Sequence, residues 1–420
     1  MKPKILTTLQ DYSLEGLLRD TVAGLTVAMV AIPLSLAIAI ASGAPPEKGL
    51  ITAIVGGFLI SLLGGSRVQI GGPTGAFIVV VFSVIAQHGY DGLVLATLMA
   101  GVILVIAGYL RLGKLIAHVP EAVVNGFTIG IALVIAFSQL RDLFGLEIAA
   151  LPAEFFDRVG ALWMARDTLS LPSLAIGGLT LVLIFGLRRL WPAFPGLIFA
   201  VIAGSVFAAL AGPSVDTIGS RFGEIPSLFA RPEWPEVSLD RLAGLFPSAL
   251  VIAFLAGVES LLSAMVADRM IGGQHRPTAE VAAQGFANIG SALVGGMPVT
   301  GAIARTATNV RAGGRTPVAG VIHALVILGV MLLAAPLVGY LAMPAMAAVL
   351  LATAWNMSEP HKWTSYLASP RSDVLLLVLT LILTVVVDLT VAIGVGVSLG
   401  LALRLSRRDA PPPSWRTPDR

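Results

Sequence analysis

Apolar stretches long enough to cross a lipid bilayer recur from residue 18 to residue 407 of this 420-residue chain, and no other feature narrows its possible folds so far. An α-helix needs about 17 to 25 mostly apolar residues to traverse a hydrocarbon core of roughly 30 Å. With 56% hydrophobic residues, 12% charged and a mean hydropathy of +0.90, the polar surface is too small for water to be the solvent. An all-α membrane protein follows. The 45 glycines and 26 prolines then read as places where helices approach closely or break, not as disorder.

Hydropathy places spans near residues 18–42, 49–65, 67–87, 91–110, 113–139, 173–189 and 195–211. A second set falls near 242–267, 279–294, 297–312, 316–334, 337–356, 371–388 and 389–407. These fourteen divide the chain into an N-terminal segment (1–17), a first unit (18–211), a connection (212–241), a second unit (242–407) and a tail (408–420). If both termini are cytoplasmic, most of the 27 Lys and Arg residues lie on the cytoplasmic side, as the positive-inside rule asks. Dropping either short segment, 67–87 or 297–312, would turn Arg111, Lys114, Arg188 and Arg189 outward. The connections 140–172 and 212–241, rich in Asp, Glu and Pro, are then external. The N-terminus is polar and amphipathic without the apolar stretch of a cleavable signal, and the tail SRRDAPPPSWRTPDR reads as disordered.

GGPTGAF at 71–77 resembles GGMPVTGAI at 295–303, setting Thr74 against Thr300 at an offset of 226, and Pro120 matches Pro344 at 224. Such a pair of offsets predicts duplication of a seven-span unit. Seven is odd, so the second copy enters from the opposite side, giving inverted repeats about an axis in the membrane plane.

Each repeat is interrupted at its third span by Gly and Pro. Gly71, Gly72 and Pro73 oppose a helix, whereas Thr74 is a favourable N-cap for one running to about Gln87. Spans 3 and 10 are therefore expected as a short strand followed by a half-helix, the second starting near Thr300. Inversion aims both N-termini at one midplane point, where unpaired N–H groups and about half a positive charge at each end suit an anion. The alternative, glycine kinks that serve packing, explains one break better than two at matching positions.

Arg305 lies five residues into that second half-helix. A lone Arg in a membrane costs about 2.5–3.5 kcal/mol on insertion scales, so it either attracts the anion or snorkels to the cytoplasmic end. Glu259 sits mid-span, where desolvation favours the neutral acid and suits it to bind a proton or pair with a cation, with a structural hydrogen bond as the alternative. Ser263 follows at i+4 on the same face. In the first span Pro33 frees a backbone carbonyl and Ser35 adds a hydroxyl. Gln284, Asn288 and Ser291 form a polar stripe expected to bond between helices, and Asp388 reads as interfacial. GVSLG at 396–400 has the form of a nucleophile elbow but no strand before it. With no Cys, no P-loop, no HExxH and no metal-spaced His cluster, the chain is expected to be no enzyme and to need no cofactor or metal. Its scattered basic residues argue against a nucleic-acid partner.

DTVAGLTVAMVAIPLSLAIA, GGPTGAF, HVPEAVVNGFTIGIAL, GVESLLSAMVAD, GGMPVTGAIARTATNVRAGGRTPVAG and VVVDLTVAIGVGV resemble the SulP anion permeases, solute carrier family 26, over essentially the whole membrane region. The resemblance implies a seven-plus-seven inverted repeat, a core of spans 1–4 and 8–11 moving against a gate, and commonly a homodimer. It implies substrate contacts at Thr74, Gly75, Ala76, Phe77, Thr300, Gly301, Ala302 and Arg305, bordered by Pro33 and Ser35, with Glu259 and Ser263 on the coupling-ion side. Leu34 stands where many members carry Gln, and the sequence ends where most continue into a cytoplasmic STAS domain. The reading is a multi-pass secondary transporter of the inner or plasma membrane carrying a dicarboxylate, sulfate or bicarbonate, with proton symport by an elevator-like movement. Sodium-coupled bicarbonate uptake or anion exchange is the alternative mechanism, and a non-transporting scaffold or motor the alternative of another class.

Overall fold

The computed structural model describes residues 2–10, 12–111, 120–149, 151–152, 154–191, 194–212, 214–224, 226, 235–387 and 389–406. The start of the fifth expected span, Asp388 and the tail lie outside them. The first half comprises α1 (Leu14–Ala41), α2 (Pro46–Leu63), strand β1 (Gly71–Gly72), a 3-10 turn at Gly75–Phe77 leading into α3 (Ile78–Tyr109), α4 (Glu121–Phe144), α5 (Leu171–Leu190) and α6 (Gly196–Ala211). The second comprises α7 (Leu239–Ile271), α8 (Pro277–Leu293), strand β2 (Thr300–Gly301), α9 (Ile303–Arg311), α10 (Val318–Val338), α11 (Met343–Met357), α12 (Arg371–Val386) and α13 (Leu389–Ser406). Short helices Phe155–Met164 and Ile218–Phe222 occupy the two long connections.

Local chemistry accounts for the boundaries. Ser13, Ser170 and Ser238 cap α1, α5 and α7 by accepting from the N–H of Gly16, Ser173 and Arg241. Proline opens α2, α8 and α11, where the missing N–H costs nothing. Gly145 and Gly272 end α4 and α7 in the left-handed region. Helix α3 breaks at Gly89, at φ 73°, which separates the third and fourth hydropathy segments. Among the described residues seven helices are long and apolar enough to cross a membrane singly, and α6 and residues 389–400 of α13 are shorter apolar helices.

Packing sorts the elements into two bodies. Helices α1, α2, α3, α7, α8, α9 and α10 with both strands pack mainly on one another, and α4, α5, α6, α11, α12 and α13 form the second body. The neighbour relations repeat between halves: α3 packs on α7 and α8 as α10 packs on α1 and α2, and α5 pairs with α6 and α11 as α12 pairs with α13 and α4. This is the contact pattern of two related units. At the centre β1 and β2 pair antiparallel, Gly71 opposite Gly301 and Gly72 opposite Thr300, as a two-fold relation between the halves demands. Glycines let α3 and α8 touch backbone to backbone: a Cβ on Gly101 would lie 2.9 Å from the Gly285 carbonyl, and one on Gly285 would lie 2.8 Å from that of Gly101.

Candidate functional site

Two helix starts meet beside the strand pair. Thr74 is extended at φ −123°, ψ 158° and precedes the 3-10 turn into α3, but its side chain does not cap that turn. Its hydroxyl donates instead to Glu259 Oε2 of α7 at 2.7 Å. Ala302 holds the corresponding position before α9 and has no side chain able to cap. Both first turns thus keep their N–H groups free of side-chain caps, with the positive ends of two helix dipoles beside one space.

That space is a cavity of about 900 Å³, lined among others by Thr74, Gly75, Ala76, Glu259, Ala302 and Arg305. One face of α1 borders it through Thr26, Val30, Leu34 and Ile38, so Leu34 presents an apolar wall. The mouth carries Arg188, Arg269, Arg311 and Lys362. It lies on the face that holds the N-terminal segment, since Lys4 Nζ donates to the Gln274 carbonyl just past the end of α7. At the rim Arg188 donates to Asn356 Oδ1 at 2.7 Å. Burial would raise the Glu359 pKa, but hydrogen bonds from Tyr366 at 2.7 Å and Lys362 at 2.9 Å outweigh it and hold this carboxyl below the usual range.

Among the described residues Arg305 is the largest fully buried side chain, only 1% exposed, so it does not snorkel. Its Nη2 donates to Ser35 Oγ at 3.1 Å and to the Pro73 carbonyl at 3.2 Å, joining α9 to α1 and to the first helix start. Nε and Nη1 have no partner among the described residues. The guanidinium fits because Gly72 is glycine, for a Cβ there would stand 1.9 Å from Nη1.

Helix α9 begins at Ile303, later than the expected start near Thr300, and Arg305 is therefore its third residue. Thr300 and Gly301 are held in the strand, and the Ala302 N–H donates to the Ile70 carbonyl. Of the twelve residues expected to contact substrate or coupling ion, six line the cavity: Thr74, Gly75, Ala76, Glu259, Ala302 and Arg305. The others stand behind it. Thr300 donates to the Ala256 carbonyl at 2.8 Å, Ser263 donates to Thr306 Oγ1 at 3.1 Å, Phe77 is core, Gly301 lies against Gln69, Pro33 is buried in α1, and Ser35 reaches the site through Arg305. The polar stripe of α8 bonds mainly to extended backbone: Asn288 exchanges two hydrogen bonds with Val299 and Ser291 donates to the Met297 carbonyl.

Sequence reasoning missed two buried groups. Glu280 accepts from the Gly65 and Ser66 N–H groups, Gln69 Nε2, Ser260 Oγ and Gln284 Nε2. It extends the stripe of Gln284 and Asn288 by one turn, and that spacing was the available signal. His323 in α10 is buried with both ring nitrogens unpartnered among the described residues; a lone His inside VAGVIHALVILG carries no comparable spacing.

The profile of the sulfate permease family matches residues 17–380. YvdB of Bacillus subtilis (strain 168) is 42% identical over 369 residues, covering 88% of this chain and 70% of that protein. Bicarbonate transporter BicA of Picosynechococcus sp. (strain ATCC 27264 / PCC 7002 / PR-6) is 33% identical over 347 residues, covering 79% of this chain and 60% of that one, so both relatives are longer. The solved transmembrane domain of a cyanobacterium bicarbonate transporter BicA shares the fold at a TM-score of 0.80 and 28% identity, covering 91% of this chain and 99% of that one. Because the family match runs through both halves of the paired-repeat architecture that frames the cavity, this chain belongs to the sulfate permease family of anion transporters.

Proposed function

We propose that the chain is a secondary active transporter of a small oxyanion, bound between the starts of α3 and α9. The observation that carries this reading is Arg305: buried, with two nitrogens unpartnered among the described residues, beside two uncapped helix starts. Free N–H groups, a fixed cation and a basic mouth draw an anion inward and replace its hydration. Sulfate, bicarbonate and a small dicarboxylate all suit this chemistry; the family name favours the first and BicA the second. Glu259, facing the same cavity, takes a proton with the anion and offsets its charge. Fourteen crossings with both termini cytoplasmic make the present shape inward-open, and the body bearing the strands slides against the other, which a homodimer would anchor.

One observation favours a second mechanism. Thr74 Oγ1 and Glu259 Oε2 face each other as two oxygen ligands, a pair that also suits sodium. Proteoliposome uptake of the three anions, each under an inward proton or sodium gradient, tests both readings. Absence of gradient-driven uptake for all three would overturn the transporter reading, and dependence on sodium without response to pH would select the second mechanism.

A further inference from the structure

A second pocket, of about 410 Å³, opens on the face that carries the N-terminal segment. Its walls come from Lys4, Thr7 and Thr8, from the stretch between Tyr12 and Asp20, from Arg67 after α2, and from Arg315 and Thr316 between α9 and α10. Four basic side chains, Lys4, Arg19, Arg67 and Arg315, line it against two carboxylates, Glu15 and Asp20.

Both carboxylates are already committed. Glu15 pairs with Arg19 at 2.5 Å. Asp20 is fully buried and accepts from the Tyr12 hydroxyl at 3.0 Å, from the N–H groups of Arg315 and Thr316 at 2.9 and 3.3 Å, and from the Thr316 hydroxyl. The Arg67 and Arg315 guanidiniums have no hydrogen-bond or ion-pair partner among the described residues. Burial, followed by the nearby charges of Arg276 and Arg67, outweighs the opposing charge of Asp268 and holds the Lys4 ammonium below its usual range. Among the described residues the pocket holds more cations than its two committed carboxylates balance, an arrangement that a ligand of two or more negative oxygens relieves.

The adjoining surface identifies the class of ligand. On the neighbouring face of α1, Leu14, Leu18, Val22 and Leu25 form one stripe with exposures of 74%, 62%, 60% and 46%. An apolar stripe of that exposure on a membrane helix faces acyl chains, and its first residue adjoins Ser13 and Glu15 of the pocket wall. A molecule with a phosphate at one end and hydrocarbon at the other spans both features.

We propose that this pocket binds the phosphate headgroup of an anionic phospholipid, whose acyl chains lie along Leu14, Leu18, Val22 and Leu25. Arg67 and Arg315 clamp the phosphate oxygens, Lys4 adds a third charge, and the lipid links the N-terminal segment to the turns that follow α2 and α9. The site is separate from the transport cavity, and the proposal does not rest on the identity of the transported anion.

Native mass spectrometry of the purified protein, supplied with phosphatidylglycerol or phosphatidylcholine, tests this against the double variants R67Q/R315Q and R67K/R315K. The wild type should retain phosphatidylglycerol in preference to phosphatidylcholine. The Gln pair should reduce that retention by about 25-fold, because each of the two basic residues beside an anionic lipid contributes roughly a fivefold preference, while the Lys pair keeps most of it. Phosphatidylglycerol should also raise the unfolding temperature of the wild type, and millimolar inorganic phosphate should neither do so nor displace the lipid. Undiminished retention by a normally folded Gln pair overturns the site. Equal stabilisation by inorganic phosphate overturns the lipid assignment in favour of a free-phosphate site, and this comparison on the wild type stands even if the Gln pair does not fold.

Discussion

The hydroxyl of Thr74 donates to Oε2 of Glu259 across 2.7 Å, tying the residue that opens one half-helix to the carboxylate at the middle of α7. The threonine therefore does not cap its own helix, and the first-turn N–H groups stay available to a ligand. The same bond makes the environment of one helix start depend on the charge of Glu259. An ionised carboxylate only accepts from Thr74, whereas a protonated one carries a donor of its own.

The first prediction follows from that bond. Glu259→Gln preserves size and the acceptor for Thr74 but cannot change charge. Uptake by the variant should lose its acceleration by an inward proton gradient, while anion binding survives at least in part. Proteoliposomes loaded at neutral pH and diluted into acidic or neutral buffer measure it; a full pH response in the variant would place the proton elsewhere.

On the proposed reading, Arg305 is the charge the anion meets. Removing it in Arg305→Ala should weaken anion binding by about 10- to 100-fold, the range for a charged hydrogen-bond partner in a desolvated site. Arg305→Lys should recover only part, since an ammonium cannot span Ser35 and Pro73 while leaving two donors for the ligand. Isothermal titration with sulfate and bicarbonate provides the check, and unchanged affinity in the Ala variant would remove Arg305 from the site.

Gly72 should tolerate no side chain. Gly72→Ala puts a methyl group 1.9 Å from Arg305 Nη1, so the guanidinium or the strand must move, at a cost of about 1–3 kcal/mol. Gly178→Ala is the control, because a Cβ there meets nothing within 4 Å. Thermal unfolding in detergent should fall only for the first variant, together with anion affinity. Equal unfolding temperatures for both would mean that the strand can yield freely.

Glu280 should matter to stability and not to selectivity. Glu280→Ala strands five buried donors, and at about 1–3 kcal/mol for each group left unsatisfied the variant should lose much of its stability. Glu280→Gln, which keeps an acceptor, should lie between it and the wild type in thermal melts. A melt of the Ala variant that coincides with the wild type would contradict this hub.

The absence of cysteine makes a topology test clean. Single cysteines at Asp167 and Asp240 should react with an impermeant maleimide added to intact cells, and one at Gln274 should react only after lysis. The reverse labelling would invert the orientation and make the cavity outward-open.

Much of the candidate site was legible because its signals are local. Gly71, Gly72 and Pro73 in direct succession oppose a helix on local grounds, so the broken third span was visible before any contact was known. Arg305 was visible as a charge in an apolar segment, but its direction was not, and the snorkelling alternative fell only when its side chain was found between Ser35 and Pro73. Thr300 was misplaced by one structural step: it matches Thr74 in motif, yet strand pairing with Gly72 consumes it and moves the helix start to Ile303. Ser263 shares a helix face with Glu259 by spacing, and Thr306 of α9 claims its hydroxyl.

By itself the sequence determined the solvent, the positions of the apolar segments and the duplication, because hydropathy and helix-breaking residues act within windows of a few to about twenty residues. Only the tertiary structure decided which polar groups face the cavity and which serve the core. Hydropathy reports depth in the bilayer but not rotation about the helix axis, and the deciding contacts join residues far apart in the chain: Thr74 to Glu259, Arg305 to Ser35, and Glu280 to Gly65. Each forms only when two units packed in opposite directions bring their interrupted spans together, a relation that no local window contains.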